Sequence, residues 1–218
     1  MLQFAASLVS PNVHLPGDLR SNIEIILRWI HFLAGITWIG LLYFFNLVNV
    51  PFQGGLDKEL KPKVNPALLL RAFWWFRWGA MYTFIFGWLL FGKDYLGPQH
   101  LISSPDGGIS GRAMWILFGA TLGSIMWFNV WFVIWPRQKQ ILGGLASGSP
   151  HPDAAKLAAT AGKASRFNTY ASGPLLFAML AAPHFSMMSA PVLVLVIVLG
   201  CGFWFGNIKR SFKVKTTV

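Results

Sequence analysis

The chain offers few groups for chemistry: five histidines, one cysteine and seven acidic residues in 218 residues that are 55% hydrophobic. His31 stands out first. It falls inside RWIHFLAGITWIGLLYFFNLVNVP, an apolar stretch long enough to cross a bilayer, which takes roughly 20 residues. An ionisable side chain inside such a helix is expensive and marks a functional position that needs a partner. His184 is the second, near the end of RFNTYASGPLLFAMLAAPHF. Two neutral imidazoles on separate helices can ligate haem iron from its two faces, and bundle cores are where such cofactors are housed. Ala34 and Gly35 beside His31, and Ala181 and Ala182 beside His184, leave room for a flat macrocycle. Arg28 could pair with a haem propionate. Blander readings stay open: a membrane histidine can simply hydrogen-bond a neighbouring helix, and an arginine can snorkel to the interface. His14, His100 and His151 fall in loops and read as solvated, with His100 kept as an outside candidate for the same face.

The elements that must position these residues follow from apolar runs and their breakers. The chain reads as all-α, a polytopic membrane protein with about five transmembrane helices in a bundle. The spacing predicts helices over about 23–50, 68–91, 113–135, 167–184 and 191–208, within a membrane domain of 23–208. Residues 1–22 form an extramembrane arm and 209–218 a basic tail. Pro51 and Pro136 are expected to end the first and third helices, because proline lacks the donor that continues the ladder. Gly173-Pro174 is expected to bend the fourth. The alanine-rich DAAKLAATAGKAS before it reads as a short surface helix of its own. The shortness of the last two helices also admits a single re-entrant arrangement.

Basic residues orient the bundle. They crowd the first connection (Lys58, Lys61, Lys63), the third (Arg137, Lys139, Lys156, Lys163, Arg166) and the C-terminus, while the second and fourth connections are nearly free of them. The positive-inside rule then places the C-terminus in the cytoplasm and the N-terminus outside. The first helix enters from outside and the fourth returns there, so His31 and His184 are expected at matched depth near the outer face. The N-terminus lacks a basic n-region and Pro11 breaks its apolar run, so no cleaved signal peptide is expected.

Composition excludes several chemistries. Only 11% of residues are charged, against about 25% in soluble domains. The net charge of +11 is therefore read as cytoplasmic loop charge, with no nucleic-acid partner. The single Cys201 rules out an internal disulfide, a CxxCH c-type haem and a cysteine-built Fe–S or zinc site; it reads as a buried small hydrophobe. No carboxylates fall at helix centres, which disfavours a proton pump. Gly119 and Gly123 form a small-xxx-small pair, the mark of a close helix contact. Asn46, Asn49, Asn129 and Asn168 read as interhelical hydrogen-bonding groups. Arg77 lies deeper than snorkelling requires, with the cytoplasmic interface as its expected place.

The segments WIHFLAGITWIGLLYFFNLVN, FRWGAMYTFIFGWLL, NVWFVIWPRQKQIL and RFNTYASGPLLFAMLAAPHF resemble the membrane domain at the N-terminus of the bacterial cytochrome c-linked urate oxidases. The resemblance runs from His31 to His184, and both match intramembrane histidines that recur in that family. The cytochrome c domain with CxxCH that follows in those enzymes has no counterpart in these residues. The resemblance implies a subunit in a bacterial inner membrane that takes electrons to or from a separate cytochrome.

Three functions are consistent with these features. The first is a haem b-binding electron-transfer subunit of a larger redox complex, with iron between His31 and His184, Arg28 and Gly35 completing the site, and a periplasmic cytochrome c and other membrane subunits as partners in the lipid bilayer. The second is a non-redox structural or pigment-binding subunit of a respiratory or photosynthetic complex, with bacteriochlorophyll as the alternative cofactor. The third is urate oxidation with a cytochrome c supplied in trans. An oxidoreductase subunit is one reading of the chain, not a settled enzyme.

Overall fold

A computed structural model describes residues 19–97, 101–105, 107–185 and 187–214. The proposed arm up to residue 18, with His14, lies outside the described residues, as does His100. Among the described residues the chain is all-helical and has no strands. Five continuous rods account for it. The first joins α1 (Leu19–Tyr43), a π segment (Phe44–Asn49) and α2 (Val50–Gly55). The second is α3 (Lys61–Phe91) with a π segment at its end (Gly92–Leu96). The third joins α4 (Gly111–Phe128), a π segment (Asn129–Ile134) and α5 (Trp135–Ala146). The fourth and fifth are α6 (Ala154–His184) and α7 (Ala190–Ser211). Among the described residues three stretches, Ser21–Gly55, Gly111–Ala146 and Ala190–Ser211, are long and apolar enough to cross a membrane.

The rods outrun the expected helices, and the prolines explain how. Pro51 and Pro136 each fall two residues after a π segment, and the helix continues past both. A proline ring collides with the carbonyl four residues back in a regular helix. A wider π turn has already shifted that pairing, so the ring is accommodated. The expected surface helix and the expected fourth helix are one element: nothing between Ala154 and Phe167 breaks an alanine-rich run, and α6 carries on through Pro174 and Pro183. The chain turns between α6 and α7, which are two separate antiparallel rods.

Small residues set the crossings. A Cβ at Gly79 would come 3.1 Å from the Trp38 nitrogen, so α1 and α3 meet almost backbone to backbone. Gly173 and Gly200 do the same between α6 and α7, where a Cβ at Gly173 would lie 2.8 Å from Gly200 Cα. Gly119 packs under Met179 and Ala178, and Gly123 under Leu175, so the small pair on α4 is a contact with α6. The main core is aromatic and aliphatic: Trp38, Leu42 and Phe45 on the first rod meet Phe73, Phe76 and Ala80 on α3, with Met126, Val130 and Ile134 from the third. Polar clasps run through it. Asn129 donates to Asn168, whose own amide nitrogen donates to the Met126 carbonyl, and Asn46 donates to Ser165. Asn49 instead accepts from Gln53 on the same rod, and Gln53 pairs reciprocally with Asn65 on α3.

Beyond one level the bundle opens. Tyr43 of α1 hydrogen-bonds Ser172 of α6 at 2.9 Å and lies 3.9 Å, ring to ring, from Trp204 of α7. Towards the start of α1, Ile25, Trp29, Phe32 and Ile36 continue the face of Tyr43 at helical spacing, and Ile36 is 68% exposed. On α6 the matching continuation is Leu176 and Leu180, the latter 65% exposed. The two faces that touch at Tyr43 and Ser172 are therefore uncovered above that contact, apolar surfaces suited to lipid.

Candidate functional site

His31 sits on the side of α1 that packs against α3. Its Nδ1 lies 2.9 Å from the Thr83 carbonyl oxygen. A carbonyl only accepts, so Nδ1 carries the proton and Nε2 is left with the lone pair. The interhelical bond expected of a structural histidine is therefore present, and it uses one ring nitrogen. The same bond is the usual means by which a protein fixes the tautomer and aim of a ligating imidazole. Room for the ring comes from Gly87: a Cβ there would stand 2.9 Å from His31 Cε1 and 3.3 Å from Nδ1. Thr83 is itself held, its hydroxyl donating to the Gly79 carbonyl at 2.7 Å. Gly35 faces Thr83 across the same contact, so it belongs to the seam between α1 and α3.

His184 is the last residue of α6 and is exposed. Counted along the two helices, it falls as many residues from their contact as His31 does. The two helices are antiparallel and touch at Tyr43 and Ser172, and the intervals 31 to 43 and 172 to 184 are equal. At about 1.5 Å per residue each histidine lies roughly 18 Å beyond that contact. They share a level but do not touch: His31 turns to α3, and His184 has no hydrogen-bond partner among the described residues. Among the described residues no group of three or more His, Cys, Asp or Glu gathers as a metal cluster.

One turn from His31, Arg28 enters a ring of alternating charge. Its Nη2 lies 2.8 Å from Glu24 Oε1 and 2.6 Å from Asp94 Oδ2. Lys93 Nζ closes the ring, 2.6 Å from Glu24 Oε2 and 2.6 Å from Asp94 Oδ1. The last is an ion pair between chain neighbours, too poorly aligned to be a hydrogen bond, as the unpartnered Asp94 Oδ1 shows. Burial works to lower the Lys93 pKa, but the Asp94 and Glu24 carboxylates outweigh it and hold the ammonium above its ordinary range. The guanidinium expected to meet a propionate is thus occupied by carboxylates in this structure. Glu24 and Asp94 escaped the sequence reading. The Glu24–Arg28 spacing of four is a readable helical pair, whereas Asp94 reaches the site only through the fold.

Arg77 gains partners that the sequence reading did not name, and Cys201 is less buried than expected. Arg77 is stacked between Trp135, 4.1 Å from its ring centre, and Trp131, at 5.9 Å, and the Trp131 indole donates to the Arg77 carbonyl. The signal was present in NVWFVIW, whose two tryptophans are one helical turn apart. Cys201 is half-buried, with its thiol 3.7 Å from the Tyr170 carbonyl at the crossing of α6 and α7.

The family model described as urate oxidase N-terminal matches residues 106–217, which take in α4 to α7 and His184, with His31 on the unmatched side. No curated protein and no solved structure matches the chain.

Proposed function

The chain belongs to the urate oxidase N-terminal family, and on that footing we propose that it is a haem b-binding electron-transfer subunit of a membrane redox complex, with His31 and His184 as the residues that would hold the haem. The observation that carries the reading is the state of His31: a ring oriented by the Thr83 carbonyl, given space by Gly87 and left with Nε2 as its lone-pair nitrogen. The equal height of His184, on an antiparallel rod, supports its choice as the second ligand. When bound, haem supplies one-electron transfer, and this chain's residues do the rest. Thr83 keeps the His31 proton on Nδ1. The ion-pair ring of Glu24, Arg28, Lys93 and Asp94 ties the start of α1 to the end of α3, and so fixes the register in which His31 meets Thr83. Excess positive charge on the connections at the other end supports an orientation with His31 near the outer face, where a periplasmic cytochrome c would exchange electrons.

A reduced-minus-oxidised absorption spectrum of the purified chain tests this. A b-type band is expected, abolished by His31→Ala and lost or shifted by His184→Ala. A chain without that band, or with a band indifferent to both substitutions, returns the protein to a non-redox subunit. A second reading rests on the family description: oxidation of urate, with cytochrome c as the separate electron acceptor. Disappearance of urate in the presence of added cytochrome c would support it, and no turnover with any cytochrome c tried would sink it.

A further inference from the structure

At the end of the bundle away from His31, a cavity of about 590 Å³ opens between the π segment Phe44–Asn49, the first turns of α3, α5 and the first half of α6. That volume lies within the range of small-ligand pockets, roughly 300–1,000 Å³. Its floor is apolar, made by Phe45, Leu69, Phe73 and Leu142, with the two phenylalanine rings stacked 4.4 Å apart. Its rim is different. Lys163 and Arg166 of α6 and Gln138 of α5 reach it, and none of the three has a hydrogen-bond or ion-pair partner among the described residues. No carboxylate lines the cavity to balance the two cations. Asn46, 2% exposed, adds an acceptor. Its amide nitrogen donates to the Leu42 carbonyl and to Ser165, which fixes the orientation of the amide and leaves Oδ1 without a donor among the described residues.

Each part of this lining asks for a different part of one ligand. Two unbalanced cations call for an anion, and an arginine beside a lysine suits a phosphate ester. The open amide oxygens of Asn46 and Gln138 call for hydroxyl donors. The phenyl and leucyl floor calls for hydrocarbon. The cavity also lies where the apolar spans give way to basic connections, the level of phospholipid headgroups. We infer that this cavity binds an anionic phospholipid with a hydroxylated headgroup, its phosphodiester held by Lys163 and Arg166, its hydroxyls by Asn46 and Gln138, and the start of an acyl chain on the phenylalanine floor.

Retention of short-chain lipid by the full chain in neutral maltoside micelles, read by native mass spectrometry, tests the inference with three probes. Phosphatidylglycerol is expected to be retained about thirtyfold better than phosphatidylcholine, the scale set by two cations near a membrane surface. Lys163→Gln combined with Arg166→Gln should remove that preference. Gln138→Glu, which adds a negative charge to the rim, should weaken it independently. Lys139→Gln with Lys156→Gln, exposed at the same end but outside the cavity lining, should leave it intact. Equal retention of the two lipids, or a preference that survives the Lys163 and Arg166 changes, would overturn the site. Inorganic phosphate that displaces phosphatidylglycerol at equal concentration would overturn the lipid assignment in favour of a soluble anion.

Discussion

His31 owes its state to two residues that carry no chemistry of their own. The Thr83 carbonyl sets the tautomer, and Gly87 supplies an absence, the side chain that would otherwise occupy the ring's position. Neither signal exists in a sequence: every residue has a carbonyl, and Gly87 is one of 22 glycines. The type and cost of the imidazole were readable, its orientation was not. Gly87→Val should therefore act on His31 without touching it. Three added carbons in a seam this tight, the first of them 2.9 Å from the His31 ring, are expected to cost about 1–3 kcal/mol, seen as a lower melting temperature in detergent. Any haem band should weaken or shift in step. An unchanged melting temperature together with an unchanged spectrum would mean that the His31 ring is not seated on Gly87.

The helices themselves were readable as apolar runs, and their ends were not. Pro51 and Pro136 look like stops until the π segments before them are seen, and π segments have no composition that announces them. The same holds for how α1 is fastened to α3. Arg28 and Glu24 lie one turn apart, but Lys93 and Asp94 come from the far end of the next rod. Asp94 has a side chain only 6% exposed beneath a half-exposed Arg28. Asp94→Ala should thus cost more than a surface pair would, about 1–3 kcal/mol, as a drop in melting temperature. The alkaline limb gives a second check. The Lys93 pKa is raised in the folded chain, so its stabilising contribution is complete below the ordinary lysine value of 10.5 and is lost as pH rises through the folded value. Wild-type stability should fall in that window, and Lys93→Met should flatten the fall while lowering stability at neutral pH. A wild-type melting temperature that stays level through the same window would dismiss the ring as a fastening.

The two ends of the bundle differ in charge as well as in how tightly they close. Connections bearing Lys58, Lys61, Lys63, Lys139 and Lys156 gather at one end, with the basic close of α7. At the other end, Lys93 and Arg28 are neutralised by Asp94 and Glu24. Positive charge resists transfer across the membrane, so the basic end is expected in the cytoplasm. In cells carrying Cys201→Ala, a cysteine at Ser104 should react with a membrane-impermeant maleimide from outside, and one at Lys213 only after lysis. The reverse pattern would turn the bundle over and move both histidines to the inner face. This asymmetry was visible in the sequence because charge counting needs no geometry. The opening of the bundle above Tyr43 and Ser172 was not, since lipid-facing and helix-facing apolar residues are alike in composition.

The π segments have a further meaning when the chain is counted instead of pictured. A widened turn holds one residue more than the helix around it requires, while both flanks keep their faces. Phe44–Asn49 and Asn129–Ile134 are therefore the places where these two rods could lose a single residue and close into regular helix without turning their far halves. The same deletion in the middle of α4 would rotate everything after it by about 100°, at 3.6 residues per turn, and take Trp135 off Arg77. Both spans thus carry one residue of slack that a neighbouring proline holds in place: a deletion there would keep the faces but set the Pro51 or Pro136 ring against the closed ladder.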